Sequence, residues 1–285
     1  MKIIDIIRNT KPTFSFEFFP PKTQEGMVSL FKTISKLEKI NPSFVSITYG
    51  AMGTTRKRTL ELVEKIRKEL SCEIMAHLTC IGSTKDEISF ILDKLKNLGV
   101  SNILALRGDY PEGFSPDKRE DFPYAANLVK FIKDRDDFCI GVAGYPDCHK
   151  ECLSLEEDIR YLRKKVSLGA DFIITQLFFH NKHYFSFIQK ASKEGISLPI
   201  LPGIMPITNY KQIKKFQMMC GCKIESPLKE QLEKYRNNPS ELREFGIDYA
   251  TRQCEALLSS GAPGIHFYTL NRSEATHRIW ENLTG

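Results

Sequence analysis

Short apolar stretches alternate with longer amphipathic stretches along the whole chain. Eight of the short stretches have the length and composition of buried strands: 13–19, 44–49, 73–80, 102–107, 138–144, 171–177, 199–204 and 264–269. The longer stretches repeat their apolar residues at helical spacing and predict helices at 25–39, 56–70, 84–98, 124–136, 155–168, 182–194, 209–219 and 273–283. Capping signals support several of these helices, with Thr84 at one start and Gly99, Gly169 and Gly195 at three ends.

This alternation predicts an α/β protein with a parallel sheet, and eight strand–helix units predict closure into a single (β/α)8 TIM barrel. An open doubly wound sheet is the alternative. That fold usually carries G-x-G-x-x-G after its first strand, and the chain lacks this motif. We expect residues 1–285 to form one catalytic domain. The segment 220–260 is too long for one connection and predicts an extra helix near 239–259.

Composition is consistent with a globular enzyme. Of 285 residues, 41% are hydrophobic and 27% are charged, which is typical of chains that bury a sizeable core. No apolar run approaches the roughly 20 residues that span a bilayer, and no secretory signal follows Met1, so we expect a cytoplasmic protein without a membrane partner. The net charge of +6 is spread among acidic residues and favours a polyanionic small molecule over nucleic acid.

Polar residues concentrate where the predicted strands end, which is where barrel enzymes carry their catalytic groups. These residues are Glu17, Thr48, Tyr49, His77, Thr79, Arg107, Asp109, Tyr145, Gln176, Tyr268 and Arg272. The sequence therefore predicts a ring of polar side chains around one barrel opening.

Glu17 is the most informative member of this ring. It lies among phenylalanines and prolines, surroundings that favour the protonated form of a carboxyl group, as a general acid requires. Pairing with a buried arginine is the structural alternative for Glu17, and a plain ion pair with Arg107 is the alternative for Asp109. His77 is interpreted as functional, whereas His266, between Ile265 and Phe267, is interpreted as a satisfied core histidine.

The sequence does not favour a metal site or several common catalytic classes. Cys148, His149 and Cys152 have ligand-like spacing, but they do not complete a zinc pattern, and no metal is expected. The motifs H-E-x-x-H, G-x-S-x-G and G-x-x-x-x-G-K-[ST] are absent. The basic residues around Lys164 and Lys165 fit either a solvated helix face or a pyrophosphate site.

Eight short blocks resemble, in order, those of the methylenetetrahydrofolate reductase family. They are SFEFFPPK at 15–22, SITYGA at 46–51, AHLTC at 76–80, ALRGD at 105–109, GYP at 144–146, ITQLFF at 174–179, PGIMP at 202–206 and FYTLNR at 267–272. Each block is moderately specific. Together they span nearly the whole chain and are highly specific.

The resemblance implies a TIM barrel with non-covalent FAD, which NADH or NADPH reduces and which passes hydride to 5,10-methylenetetrahydrofolate, giving 5-methyltetrahydrofolate. Glu17 would assist opening of the folate ring, and Asp109 would stabilise the resulting cation between flavin and pterin. Flavin contacts are implied for Tyr49, Ala51, His77, Arg107, Gly108, Asp109, Ala125, Tyr145, His149, Asp158, Lys164 and Lys165. Folate contacts are implied for Asp109, Gln176, Gln212 and Arg272, and nicotinamide contacts for Thr48, Gln176 and Phe216.

Two positions depart from the family pattern at the adenosine end of the FAD site: Gly144 stands where alanine is common, and Tyr161 where a smaller amide occurs. The chain matches only the catalytic barrel, so we expect a bacterial-type enzyme of one-carbon metabolism that uses NADH and forms a homo-oligomer. The alternatives are a flavin-free barrel lyase or aldolase and a basic RNA-binding module.

Overall fold

The strands of a computed structural model all run parallel in one sheet. The structure describes residues 1–49, 53–69, 71–109 and 121–285, without the side chains of 53–57. The strands are β1 (Thr13–Phe18), β2 (Phe44–Ile47), β3 (Glu73–Thr79), β4 (Asn102–Leu106), β5 (Cys139–Gly144), β6 (Phe172–Thr175), β7 (Ile200–Leu201), β8 (Gly203–Ile204) and β9 (Gly264–Tyr268). Neighbours follow chain order from β1 to β7, and β9 pairs with both β1 and β8.

The seventh strand position is split, which corrects the single strand expected at 199–204. Pro202 has no N–H to donate, so the ladder breaks there. β7 pairs with β6 through Ile173 and Ile200, whereas β8 pairs with β9 through Gly203 and His266. Pro202 alone joins β7 to β8, and together these two strands fill the position between β6 and β9. Nine short strands in the described residues therefore occupy the eight strand positions of the barrel.

The described residues also form helices, and all except the first of them cover the outside of this barrel. They are α1 (Ile3–Asn9), α2 (Gln24–Glu38), α3 (Gly53–Glu69), α4 (Lys85–Asn97), α5 (Ala125–Arg135), α6 (Leu155–Ser167), α7 (Asn181–Lys193), α8 (Tyr210–Cys220), α9 (Leu228–Tyr235), α10 (Pro239–Ser259) and α11 (Glu274–Thr284). Thr84 and Glu87 form a complete capping box at α4. The segment 220–260 therefore contains α9 as well as the additional helix expected near 239–259, which is α10.

Helix α1 was not predicted from the sequence. Its residues Ile3, Ile4 and Ile7 are buried with Phe44 and Phe172 inside the amino-terminal end of the barrel. Asn102, fully buried on β4, accepts the Ile3 N–H at 2.7 Å. The segment has four isoleucines in seven residues, too short a run to display a helical period, and only the barrel interior that three of them fill explains why it forms a helix. α1 closes the end of the barrel opposite the carboxyl ends of the strands.

Side-chain alternation along β1 separates two layers. Phe16 and Phe18 point outward into the core between strands and helices, and the Phe16 ring stacks on Phe267 at 5.8 Å. Ser15 and Glu17 point inward. In the described part of the chain, none of the helices is long and apolar enough to cross a membrane.

Candidate active site

Polar side chains from most of the strands converge on one cavity at the carboxyl end of the barrel. It has a volume of about 400 Å³. Among the predicted site residues its walls include Glu17, Thr48, His77, Arg107, Gly108, Asp109, Tyr145, His149, Gln176 and Phe216. A larger surface groove, about 950 Å³, lies near Arg8, Tyr184 and Pro263, away from all of these residues. The convergence of polar groups therefore identifies the smaller cavity as the candidate site.

Glu17 lies against two imidazole rings rather than against phenylalanines. Its carboxylate Oε2 is 3.4 Å from His77 Nε2 and 3.6 Å from His266 Nε2, and 19% of its side chain is exposed. The apolar surroundings expected from the sequence are therefore on the other side of the strand. The carboxyl group faces the cavity with two nitrogen atoms behind it.

His266 is not the satisfied core histidine that its apolar neighbours suggested. Its Nδ1 lies 2.8 Å from Ser15 Oγ, but its Nε2 has no hydrogen-bond partner among the described residues and faces Glu17. Ser15 and His266 are direct register partners on β1 and β9, and both point into the barrel. The alternation of Ile265 and Phe267 around His266 was the signal that could have placed its ring inside.

His77 is the second imidazole beside Glu17 and is almost fully buried. Burial lowers its pKa to about 4, although the Glu17 carboxylate opposes this shift. Its Nε2 also lies 3.3 Å from Ser46 Oγ. A neutral ring therefore sits beside Glu17 at neutral pH, so their contact is a dipolar one rather than an ion pair.

A second wall of the cavity is formed by Tyr145 and His149, whose rings meet edge to face at 4.7 Å. Asp158 Oδ2 accepts the His149 N–H at 2.8 Å. Lys165 donates to the Ala143 carbonyl at 2.7 Å and lies 5.9 Å from the centre of the Tyr145 ring. Burial lowers the pKa of Lys165 to about 8, and the nearby Asp158 opposes this shift. Asp158 and Lys165 thus support the wall from behind.

The turn after β4 brings Arg107, Gly108 and Asp109 to the rim. Gly108 has φ +90°, a left-handed conformation that side chains disfavour. Arg107 makes two 2.6 Å hydrogen bonds to the Glu151 carboxylate. The Asp109 side chain is 81% exposed, and its Oδ1 lies 3.7 Å from Lys150 Nζ. Arg107 therefore forms an ion pair with Glu151, and the Asp109 carboxylate faces the opening. This arrangement differs from the ion pair between Arg107 and Asp109 that was the structural alternative.

Five further predicted residues lie outside the cavity walls. Tyr49 is buried beside the strand ends, Ala125 begins α5, and Lys164 is exposed on α6. Gln212 lies in the first turn of α8, and Arg272 is exposed in the turn after β9. Ala51 lies outside the described residues. The predicted roles of these six residues stay predictions.

Two residues that shape the site make contacts that sequence reasoning did not find. Tyr268 was placed at the rim but given no partner, and its buried hydroxyl donates to the Thr175 carbonyl at 2.7 Å. Asn271, with φ +58°, bonds both the N–H and the carbonyl of Phe19 through its side chain, at 3.0 and 2.8 Å. Asn271 thereby fixes the segment after Glu17, and no local pattern signals this long-range contact.

The two departures from the family pattern have structural counterparts. A Cβ at Gly144 would lie 2.7 Å from the Phe187 ring, so the larger ring occupies the space of the missing methyl group. Tyr161 is exposed on α6. Within the described ranges, no group of three or more His, Cys, Asp or Glu side chains is arranged to hold a metal ion.

Several known proteins resemble this chain over nearly its whole length. The family model described as methylenetetrahydrofolate reductase matches residues 2–284. A Salmonella typhimurium protein named 5,10-methylenetetrahydrofolate reductase is 39% identical over 269 residues, which cover 94% of this chain and 90% of that protein. The Escherichia coli protein of the same name is 38% identical with the same coverage.

The plant relatives are longer. An Arabidopsis thaliana protein named methylenetetrahydrofolate reductase (NADH) 1 is 37% identical over 300 residues, covering 99% of this chain but 51% of that protein. The chain thus spans about half the length of the plant relatives it matches.

A solved structure shares the fold at lower sequence identity. A Clostridium thermocellum protein, described as binding two copies of 5-methyl-5,6,7,8-tetrahydrofolic acid, superposes with a TM-score of 0.67 at 16% identity and covers 98% of this chain and 96% of that one. At this identity the likeness concerns the barrel alone. The match of the family model over nearly the whole chain, together with the bacterial relatives, shows that this chain belongs to the methylenetetrahydrofolate reductase family.

Proposed function

We propose that this chain reduces 5,10-methylenetetrahydrofolate to 5-methyltetrahydrofolate, with NADH or NADPH as the electron donor and non-covalent FAD as the carrier. The observation that carries the proposal is Glu17, a carboxyl group held at the inner end of the cavity against two imidazoles. Bacterial relatives that align over about nine-tenths of their own length support it, since they are named for this reaction. NADH is the proposed donor, as in the name of the plant relative.

The residues of the second wall fit a flavin nucleotide. An isoalloxazine ring needs flat, partly apolar neighbours, and Tyr145 and His149 provide them. A pyrophosphate needs cationic donors; Arg107 lines the cavity, and Lys165 lies behind Tyr145 in the same wall. FAD, when bound, would accept hydride from the pyridine nucleotide and supply it to the folate.

Glu17 would deliver the proton that opens the five-membered ring of the folate. The amine nitrogen that leaves the methylene carbon is a poor leaving group until it is protonated, and Glu17 is the carboxyl group at the inner end of the cavity. The two imidazoles on one side of Glu17 hold its carboxyl group toward the opening. Because His77 is neutral, it adds no positive charge that would favour the ionised form of Glu17.

Asp109 would stabilise a positive charge rather than transfer a proton. Ring opening leaves a cationic iminium group on the folate, and the exposed carboxylate of Asp109 at the rim stabilises a cation within the cavity. Gln176 and Phe216 line the remaining wall and would orient the substrates.

Replacement of Glu17 by glutamine separates the two halves of the reaction. Glu17→Gln keeps the size and hydrogen-bonding shape of the side chain but has no proton to deliver. We expect the variant to bind FAD and to be bleached by NADH at the native rate, because that step needs no acid. Reoxidation by methylenetetrahydrofolate should slow by about 10²–10⁴-fold, as measured by anaerobic stopped flow.

Glu230→Gln, on the exposed surface of α9, is the matched control and should leave both half-reactions unchanged. An artificial electron acceptor should still reoxidise reduced Glu17→Gln. Native-rate reoxidation of this variant by the folate would show that Glu17 is not the acid.

Lys165→Ala should weaken FAD retention, because it removes the ammonium group that lies over Tyr145. Loss of one charged contact corresponds to roughly a 10-fold to 100-fold rise in the FAD dissociation constant, which equilibrium dialysis with fluorescence detection measures. Lys164→Ala is the matched comparison and should have a smaller effect, because Lys164 is exposed. Equal effects of the two substitutions would show that Lys165 has no specific role in binding FAD and that this face of α6 is simply solvated.

His77 predicts a pH dependence of stability. Its folded pKa of about 4 is below the ordinary value of 6.5, so the unfolded chain takes up this proton first as the pH falls. The contribution of His77 to stability is therefore present above pH 6.5 and is lost as the pH falls toward 4. Between about pH 7 and pH 4.5 this loss is on the order of 2 kcal/mol.

His77→Gln should reduce the acid-induced loss of unfolding free energy by about this amount, as measured by urea denaturation at the two pH values. His277→Gln, at a half-buried histidine of α11, is the control and should leave the pH dependence of the native chain nearly unchanged. An identical pH dependence in native and His77→Gln proteins would contradict a neutral buried imidazole.

A further inference from the structure

A buried histidine outside the cavity connects two of its walls. His183, in the first turn of α7, places Nδ1 against Asp147 Oδ1 and Nε2 3.3 Å from Glu225 Oε1. The side chains of His183 and Asp147 are only 14% and 6% exposed. The contact with Asp147 has the geometry of an ion pair rather than an aligned hydrogen bond. We refer to His183, Asp147 and Glu225 as the histidine clasp.

Each carboxylate of the clasp belongs to a segment that continues into the cavity wall. Asp147 lies between Tyr145 and His149, which both line the cavity. Glu225 follows α8, whose residues Phe216 and Cys220 also line the cavity. His183 itself lines neither wall. The clasp therefore ties the β5–α6 loop to the segment that follows α8.

Backbone groups complete the connection. Asp147 Oδ2 accepts the Lys223 N–H at 2.9 Å, and His180 Nε2 accepts the Glu225 N–H at 3.0 Å. Because Nε2 of His180 is an acceptor, this ring is neutral, and burial lowers its pKa accordingly. The two histidines of this turn thus differ in role: His180 accepts a hydrogen bond, whereas His183 meets a carboxylate at each nitrogen.

The proton on His183 decides whether the clasp holds. An imidazolium has two N–H donors and a positive charge, so it satisfies both carboxylates, whereas a neutral ring has one donor and turns a lone pair toward the other carboxylate. The titratable and charged groups that face His183 are Asp147, Glu225, Lys182, His180 and the buried Cys222 thiol near Asp147. Glu225 keeps Lys182 as a partner when His183 is neutral, but Asp147 is nearly buried and loses its cation.

We infer that His183 is a positioning residue, which as an imidazolium holds the Tyr145–His149 loop against the segment after α8 and so sets the width of the cavity. Deprotonation of His183 leaves the Asp147 carboxylate buried without a counter-charge, and the loop then moves toward water. The cavity of this chain is therefore narrower when His183 carries two protons than when its ring is neutral. The consequence for folate turnover rests on the proposed function, but the change in wall structure does not.

Amide hydrogen exchange of the chain without ligands tests the clasp directly. The Lys223 amide donates to Asp147, and the amide of Glu225 itself donates to the neighbouring His180, so their protection factors, corrected for the intrinsic pH dependence of exchange, report whether the clasp is closed. In the native chain we expect these factors to fall about 10-fold or more between roughly pH 6 and pH 8.5. In His183→Gln they should be low at both pH values. His277→Gln, at the half-buried histidine of α11, should behave as the native chain.

A double substitution distinguishes charge from packing. Asp147→Asn combined with His183→Gln removes the buried carboxylate together with its cation, so it should recover much of the protection lost in His183→Gln alone. Simple loss of packing predicts no recovery. If His183→Gln is unfolded, the pH dependence of amide protection in the native chain still tests the inference. Asp147→Asn should then make this protection independent of pH.

Kinetics provide a second readout. His183→Gln should raise KM for the folate about 5-fold to 10-fold with little change in kcat, because the walls move while Glu17 stays in place. Protection of Lys223 and Glu225 that does not depend on pH in the native chain, or that survives in His183→Gln, would overturn the inference whether or not folate is reduced. Absence of folate turnover with a normal exchange profile would instead contradict the proposed function and leave the clasp intact.

Discussion

Alternation of side chains across a closed parallel barrel is the constraint on which the site depends. On β1 it sends Phe16 to the outer core and Glu17 to the interior, and on β9 it does the same for Phe267 and His266. A one-residue slip between these strands would place Glu17 among apolar side chains and separate it from His266. The hydrophobic layer and the acid–imidazole contact are therefore two results of one register.

Closure of the barrel makes this constraint effective. Gly203 of β8 pairs with His266, and a Cβ at Gly203 would lie 2.2 Å from the Thr175 carbonyl oxygen and 2.6 Å from the Tyr268 ring. Only glycine fits between these neighbours, and the same Thr175 carbonyl accepts the Tyr268 hydroxyl. α1 fills the opposite end with isoleucines, so the polar groups of the interior have one opening toward water. The site is a consequence of this one-sided closure.

Much of the fold was predictable because each strand and helix carries its own period. The ends of strands could also be read from polar residues such as Glu17, Arg107 and Gln176, and the structure brings these three to one cavity. The neighbours of Glu17 could not be read in this way, because His266 is distant in sequence and its contact depends on register. α1 and the histidine clasp were missed for the same reason, since Ile3, Asp147 and His183 acquire partners only when separate segments pack together.

An anaerobic spectral titration of the purified native chain tests most directly the proposal that the cavity holds a flavin which exchanges hydride between a pyridine nucleotide and a folate. The account predicts a yellow protein that loses its flavin absorbance with NADH and regains it with 5,10-methylenetetrahydrofolate, forming one equivalent of 5-methyltetrahydrofolate per flavin. A colourless protein that binds no added FAD, or a reduced flavin that the folate does not reoxidise, would contradict it.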